Sequence, residues 1–265
     1  MDFVNNNKVD ISNINLEPGE RVDNIGFNDL MLIQKPDEFC YGVDAVLLAD
    51  FAAKGQTKHN HFCKIMDLGT GTGIIPIILS HKTDAMEIWG VEVQNDSFER
   101  GLRNIKINSL EKRLFFINDD VSSLCEDKGF HGMFDAVTSN PPYTIGNCGL
   151  TNRNSAKQVA RHETTASLDD FVKCSSRFLK DKGHLFMVHR PSRLVDICCS
   201  FRNNGIEPKE LRFVSGKIGE KPNIILVHGI KNGGRELKIL DPLAIYEEKG
   251  KYSEEILKIY EKISH

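Results

Sequence analysis

Met66-Asp67-Leu68-Gly69-Thr70-Gly71-Thr72-Gly73-Ile74-Ile75 is the stretch whose reading decides the fold. Phe62 and Ile65 lead into it with apolar character, and an apolar, helix-like run leaves it toward Leu79. Strand, glycine turn and helix in that order open an α/β nucleotide-binding domain, where glycines let the backbone approach a ligand closely. The spacing Gly69-x-Gly71-x-Gly73 departs from the dinucleotide fingerprint, whose third glycine would fall at Ile74, or at Pro76 counted from Gly71. No Gly-Lys-Ser/Thr follows, so a phosphate loop is excluded as well. Asp67, just before the turn, would repel a pyrophosphate and suits a cation. S-adenosylmethionine (SAM) carries an ammonium and a sulfonium and no phosphate.

Further strands with polar ends follow at the intervals such a domain needs. Glu87 to Val93 reads as the next strand, with Glu92 near its C-terminal end, 25 residues after Asp67. A carboxylate there can take both ribose hydroxyls of a nucleoside. Leu114 to Asp120 reads as a third strand ending in Asp119 and Asp120, suited to an adenine amino group. Phe134 to Asn140 reads as a short buried strand that runs into Asn140-Pro141-Pro142-Tyr143. Two prolines have fixed φ and no N–H donors, so neither helix nor central strand continues and the turn is stiff. Its carbonyls, the Asn140 amide and the Tyr143 ring can grip a planar amine, accepting its hydrogens and stacking on its face.

Around these motifs the pattern predicts a small strand at Leu30 to Gln34 and helices at 43–53, 74–81, 96–108, 168–180 and 192–203. Ser167 and Asp170 form a capping box, and Gly205 is placed to stop the last of those helices. Gly183 to Arg190 reads as the fifth strand, and segments near 209–216 and 223–230 as a closing antiparallel hairpin. The fold expected is a doubly wound, Rossmann-like α/β domain. Its mostly parallel seven-stranded sheet carries an antiparallel C-terminal hairpin, with helices on both faces. Residues 1–24 are Asn-rich and polar and are read as a mobile segment, leaving 25–265 as one domain. Residues 144–160 form a long polar loop beside the proposed site, a length more often functional than idle.

Composition agrees with a globular enzyme: 40% hydrophobic and 27% charged residues. Seven cysteines and nine histidines show no paired metal spacing, so free thiols in a reducing cytoplasm and no bound metal are expected. No segment reads as a signal peptide or membrane span. A formal net charge of −3 means any nucleic-acid footprint must be local. Arg153, Lys157 and Arg161 after the catalytic turn are candidates, with Arg190, Arg193, Lys217 and Lys221.

Taken together, these residues resemble the class I SAM-dependent methyltransferases of the amino-methylating branch, which carry an Asn-Pro-Pro-aromatic motif. More narrowly, the chain resembles the bacterial adenine-N6 methyltransferases that act on position 37 of valine tRNA. The segment 34–52, with Tyr41-Gly42-Val43-Asp44, the Ala160-to-Glu163 tetrapeptide and the tail 246–260 carry that narrower likeness, which runs from about Asn24 onward. The resemblance implies SAM as cofactor, held by Tyr41, Gly42, Asp44, Asp67, Gly69, Gly71, Gly73, Glu92, Val93, Asp119 or Asp120, and Asn140. Asp120, followed by aliphatic Val121, fits the family pattern better than Asp119. It also implies catalysis by Asn140, Pro141, Pro142 and Tyr143 on an anticodon-loop adenine of tRNA; the sequence leaves the oligomeric state open, with a monomer favoured.

The chemistry follows from the acceptor. An adenine amine is a poor nucleophile because its lone pair is delocalised into the ring. If the Asn140 side-chain oxygen and the Pro141 carbonyl accept its two hydrogens, the nitrogen is drawn toward tetrahedral geometry. Glutamine in a release factor and guanine N2 in ribosomal RNA offer similar planar nitrogens and are the rival acceptors. Against them, the chain shows no appended helical substrate domain and no duplicated half. A non-catalytic SAM- or RNA-binding module is the rival of another class, and an intact Asn140-to-Tyr143 turn with Asp67 and Glu92 argues against it.

Overall fold

The computed structural model describes residues 15–37, 40–56, 61–142, 166–248 and 250–262. The glycine turn is built as the sequence predicts: β3 (Lys64–Leu68) enters it and α2 (Ile74–Lys82) leaves it. Then follow β4 (Glu87–Glu92), α3 (Asn95–Ile107), β5 (Leu114–Asn118), the short α4 (Val121–Leu124) and β6 (Phe134–Ser139). Further along the chain come α5 (Leu168–Phe178), β7 (Leu179–His189), α6 (Leu194–Asn203), β8 (Ile206–Lys217) and β9 (Ile224–Lys231). The expected capping box of Ser167 and Asp170 closes the start of α5.

The main sheet has ten strands rather than seven. Its centre is the expected set in the order β8-β9-β7-β6-β3-β4-β5, with β7 to β5 parallel and β9 antiparallel to both neighbours. The C-terminal tail adds β10 (Lys238–Ile239), β11 (Leu243–Glu248) and β12 (Lys251–Tyr252) at the β8 edge, then α7 (Glu254–Ile259). Two-residue strands carry too little periodicity to be read from sequence. From β3 the chain winds outward through β4 and β5, then returns to place β6 on the other side of β3. The sheet therefore has its switch point between the C-terminal ends of β3 and β6, where open α/β sheets bind ligands.

Both faces of the sheet are buried, as parallel strands require. Ile65, Phe186 and Val188 point into one core with α1 (Val43–Gly55) and α2, while Met66, Leu68, Leu185 and Met187 point into the other with α5 and α6. Residues 45 to 52 of α1 are all buried, because the sheet covers one side and Ile256 and Ile259 of α7 join the same core. No described helix is long and apolar enough to cross a membrane. Among the six described cysteines, Cys125 and Cys174 are buried, but Cys63 and Cys199 are exposed, so the thiols are free without all being enclosed.

The hairpin of β1 (Arg21–Gly26) and β2 (Leu30–Gln34) packs on α3. Asn104 and Asn108 of α3 stand in for a neighbouring strand. The Ile33 N–H donates to Asn104 Oδ1 at 2.7 Å, and Met31 exchanges both its backbone bonds with the Asn108 amide at 2.8 and 2.7 Å. A boundary at residue 24 thus falls inside β1. Just before that strand, Glu20 is fully enclosed, bonded to Arg100 at 2.8 Å and to both terminal nitrogens of Arg103 at 2.6 and 2.7 Å.

Candidate functional site

The turn after β3 takes backbone angles that only glycine adopts without strain: φ is +76° at Gly69, +57° at Gly71 and +91° at Gly73. A Cβ on Gly73 would stand 2.6 Å from the Phe116 ring, so that glycine is needed for packing too. A Cβ on Gly71 would meet nothing among the described residues, so there the turn borders space that a ligand can enter. The turn is tied down from three sides. Gly69 and Thr70 N–H groups donate to the Val91 carbonyl at 3.0 and 2.9 Å, and the Asn104 amide donates to the Thr72 carbonyl at 2.9 Å. From the third side, Gly71 N–H donates to Glu92 Oε2 at 2.8 Å, while Glu92 Oε1 accepts from Gln94 N–H at 2.8 Å.

Glu92 therefore stands where the nucleoside reading needs it, its carboxylate fixed by two backbone donors at the lip of the turn. A carboxylate offers about four lone-pair sites, more than the two these backbone donors use. Glu92→Ala should weaken SAM binding by about 1–3 kcal/mol, the range for charge-assisted hydrogen bonds. Calorimetry that finds wild-type affinity in the variant removes Glu92 from the site.

The Asp67 carboxyl, whose charge is expected to suit a cation, is enclosed. It is 0% exposed, beneath the turn, so a ligand senses it only through the backbone above. Thr138 of β6 donates to its Oδ1 at 2.6 Å, whereas Oδ2 and the Thr70 hydroxyl, both buried, have no hydrogen bond of good geometry among the described residues. Burial pushes the carboxyl up to about 7, against the lowering effect of Thr138 and with a raising contribution from Glu92. The folded state thus holds this proton more tightly than the unfolded chain, whose value lies near 4. The advantage is fully present below pH ~4 and drains away as pH rises through 7. Asp67→Asn keeps the acceptor for Thr138 but cannot ionise. It should gain up to about 4 kcal/mol on the wild type between pH 4 and pH 8 in urea unfolding. A difference between the two that does not change with pH would contradict the buried acid.

Ser139 Oγ donates to the Leu68 carbonyl at 3.1 Å, so the hydroxyls of Thr138 and Ser139 fasten β6 to β3 immediately before Asn140. Half-buried Asn140 and buried Pro141 then lie next to the glycine turn at the switch point. Asn140 Nδ2 donates to Asp44 Oδ2 at 3.2 Å, and Asp44 Oδ1 accepts from Ala45 N–H at 3.0 Å at the start of α1. Tyr41 and Gly42 precede it, with Gly42 as the extended residue capping α1. Val93 follows Glu92, and its carbonyl accepts from the Asn118 amide at 3.3 Å.

Asp119 and Asp120 sit at the end of β5, each with one oxygen given to backbone. Asp119 Oδ1 accepts from Asp120 N–H at 2.7 Å, and Asp120 Oδ1 caps α4 through Ser122 N–H at 2.8 Å. Tyr143, Arg153, Lys157, Arg161 and the Ala160-to-Glu163 tetrapeptide lie outside the described residues. Of the other basic candidates, Arg193 is paired with Asp196 at 2.6 Å, and Arg190 and Lys221 are exposed. Lys217 ends β8 opposite Tyr246. Among the described residues no group of three or more His, Cys, Asp or Glu could hold a metal ion. Thr138, Ser139 and Asn104 escaped the sequence reading, although hydroxyl residues directly before Asn140 were a visible cue.

Open space above Gly71, three left-handed glycines and a backbone-fixed carboxylate at the lip fit a nucleoside that lacks phosphate. The known proteins agree. A relative from Parabacteroides distasonis, named tRNA1(Val) (adenine(37)-N6)-methyltransferase, is 27% identical over 223 residues, 82% of this chain and 87% of that protein. A predicted O-methyltransferase from Agrobacterium tumefaciens shares the fold with a TM-score of 0.65 at 19% identity, covering 82% of this chain and 95% of that one. The M. jannaschii protein TYW2, solved with AdoMet, gives a TM-score of 0.54 at 14% identity over 82% and 87% of the two chains. The model of the methyltransferase small domain matches residues 44–195. The chain belongs to the methyltransferase small domain family.

Proposed function

We propose that the protein transfers a methyl group from SAM to the N6 amine of an adenine in tRNA, at position 37 in the anticodon loop of valine tRNA. The observation that carries this reading is the Asn140-Pro141 turn at the switch point, with its amide bonded to Asp44 beside the glycine turn. The name of the Parabacteroides distasonis relative supports the acceptor.

Glu92 and the Gly69-to-Gly73 turn hold the nucleoside of SAM, with Asp120 or Asp119 toward its adenine. Bound SAM supplies an electrophilic methyl group on a sulfonium. This chain's own residues prepare the acceptor. The Asn140 Oδ1 and the Pro141 carbonyl accept the two amine hydrogens, which draws the nitrogen lone pair out of the ring. Tyr143 stacks on the base, which must leave its own stack to enter the pocket. A loop base is already partly unstacked, so its extrusion costs less than that of a paired base. No general base is needed, because the alkylated amine gives its proton to water. Positioning and hydrogen-bond polarisation supply the catalysis.

Labelled SAM offered with unmodified tRNA, ribosomal RNA and release factor tests the acceptor. N6-methyladenosine from the tRNA digest is expected; methylguanine or methylglutamine as the product overturns the assignment. Charge reversal at Arg153, Lys157 or Arg161 is expected to weaken tRNA binding without changing SAM affinity. With a net charge of −3, phosphate contacts should be few and local, and binding should depend only shallowly on salt.

A further inference from the structure

We infer that Asp44 is a positioning residue for methyl transfer: its carboxylate orients the Asn140 amide so that the oxygen faces the acceptor. This rests on the amine-methylating reading above, though not on which planar amine is methylated. The two residues are 96 positions apart and meet at 3.2 Å through Asn140 Nδ2 and Asp44 Oδ2. A carboxylate only accepts, so the amide atom turned toward it must be the NH2. The reverse orientation would set oxygen lone pairs against each other. The carboxamide oxygen therefore points away from Asp44, and an amine acceptor requires that orientation. A hydrogen bond to an ionised partner also polarises the amide and makes its oxygen a stronger acceptor.

Asp44 is itself held firmly. Its second oxygen accepts from Ala45 N–H at 3.0 Å in the first turn of α1, where the helix dipole favours a negative charge. The helix behind it is buried from Ala45 to Ala52, which fixes the backbone that carries the carboxylate. On the other side, Thr138 and Ser139 fix the strand that delivers Asn140. One residue on α1 and one at the end of β6 are thereby set against each other across the switch point.

The test measures kcat and tRNA KM for methyl transfer, and SAM affinity by calorimetry, in full-length Asp44→Ala and Asp44→Asn. Orientation through Asn140 predicts that Asp44→Ala lowers kcat about 10- to 100-fold, the usual effect of losing a group that orients a site residue. SAM affinity and tRNA KM should stay within about threefold of wild type, since only the amide is misplaced. An Asn at 44 replaces one of the two accepting oxygens with an NH2 and so keeps only one of the two bonds in its present geometry, and Asp44→Asn should fall between wild type and Asp44→Ala. Added to Asn140→Ala in single-turnover assays, Asp44→Ala should cause no further loss. A tenfold or greater loss of SAM affinity at unchanged kcat would make Asp44 a cofactor ligand and overturn the inference. An equal additional loss on the Asn140→Ala background would overturn it too. Should Asp44→Ala fail to fold, Asp44→Asn carries the same readings. Should the wild type methylate guanine or glutamine instead, the adenine assignment fails while these ratios are measured on that acceptor.

Discussion

Asn140→Ala is expected to lower methyl transfer by at least about 10²–10³-fold, the cost of removing one preorganised hydrogen-bonding group aimed at the reacting centre. SAM affinity should stay near the wild-type value, because the amide acts on the acceptor nitrogen. The backbone should hold its place as well, since Thr138 and Ser139 tie β6 to β3. Calorimetry and a labelled-methyl assay on the same preparation separate the two quantities. Normal turnover in this variant would remove Asn140 from the mechanism.

A comparably large effect, on stability rather than turnover, is expected far from the chemistry. Glu20→Ala should cost about 3–5 kcal/mol of unfolding free energy, the usual result of removing one partner of a buried ion pair. Arg100, only 3% exposed at its side chain, would lose this carboxylate. The Arg103 hydrogen bond, helped by Arg100 and opposed by burial, holds the Glu20 carboxyl down to about 2. Its stabilisation is therefore complete above the unfolded value near 4.3 and disappears as pH falls through 2, about 3 kcal/mol in all. Against Glu20→Gln, the wild-type advantage in urea unfolding should shrink steadily between pH 4.5 and pH 2. Equal stability of Glu20→Ala and wild type at pH 7 would show that the ion pair contributes nothing.

That prediction also marks where the sequence was hard to read. Residues 15–20, which lead into Arg21-Val22-Asp23-Asn24, carry Leu16 as their one large aliphatic side chain, so nothing in their pattern announces a strand. Their order comes from Glu20 finding two arginines on α3 and from Asn104 and Asn108 completing the β2 ladder. Such contacts span 71 to 83 residues and leave no local periodicity. The glycine turn was legible for the opposite reason. Three alternating glycines are a local demand for positive φ, and the apolar runs around them are a local demand for strand and helix.

Within the site, position along the strands was readable, whereas pairing was not. Glu92 and Asn140 stand at strand ends as their motifs imply. Asp67 stands near the strand end as its motif implies, but its burial cannot be seen from a carboxylate beside glycines. Asp44 was expected beside the cofactor, and its bond to Asn140 emerges only once α1 is laid against the switch point.

The central claim is most directly tested by one measurement: methyl incorporation into unmodified valine tRNA and into the same transcript with guanine in place of the adenine at position 37. The proposed reaction predicts about one N6-methyladenosine per wild-type transcript and none in the substituted one. Equal incorporation into both transcripts, or methyl found on guanine, would contradict it.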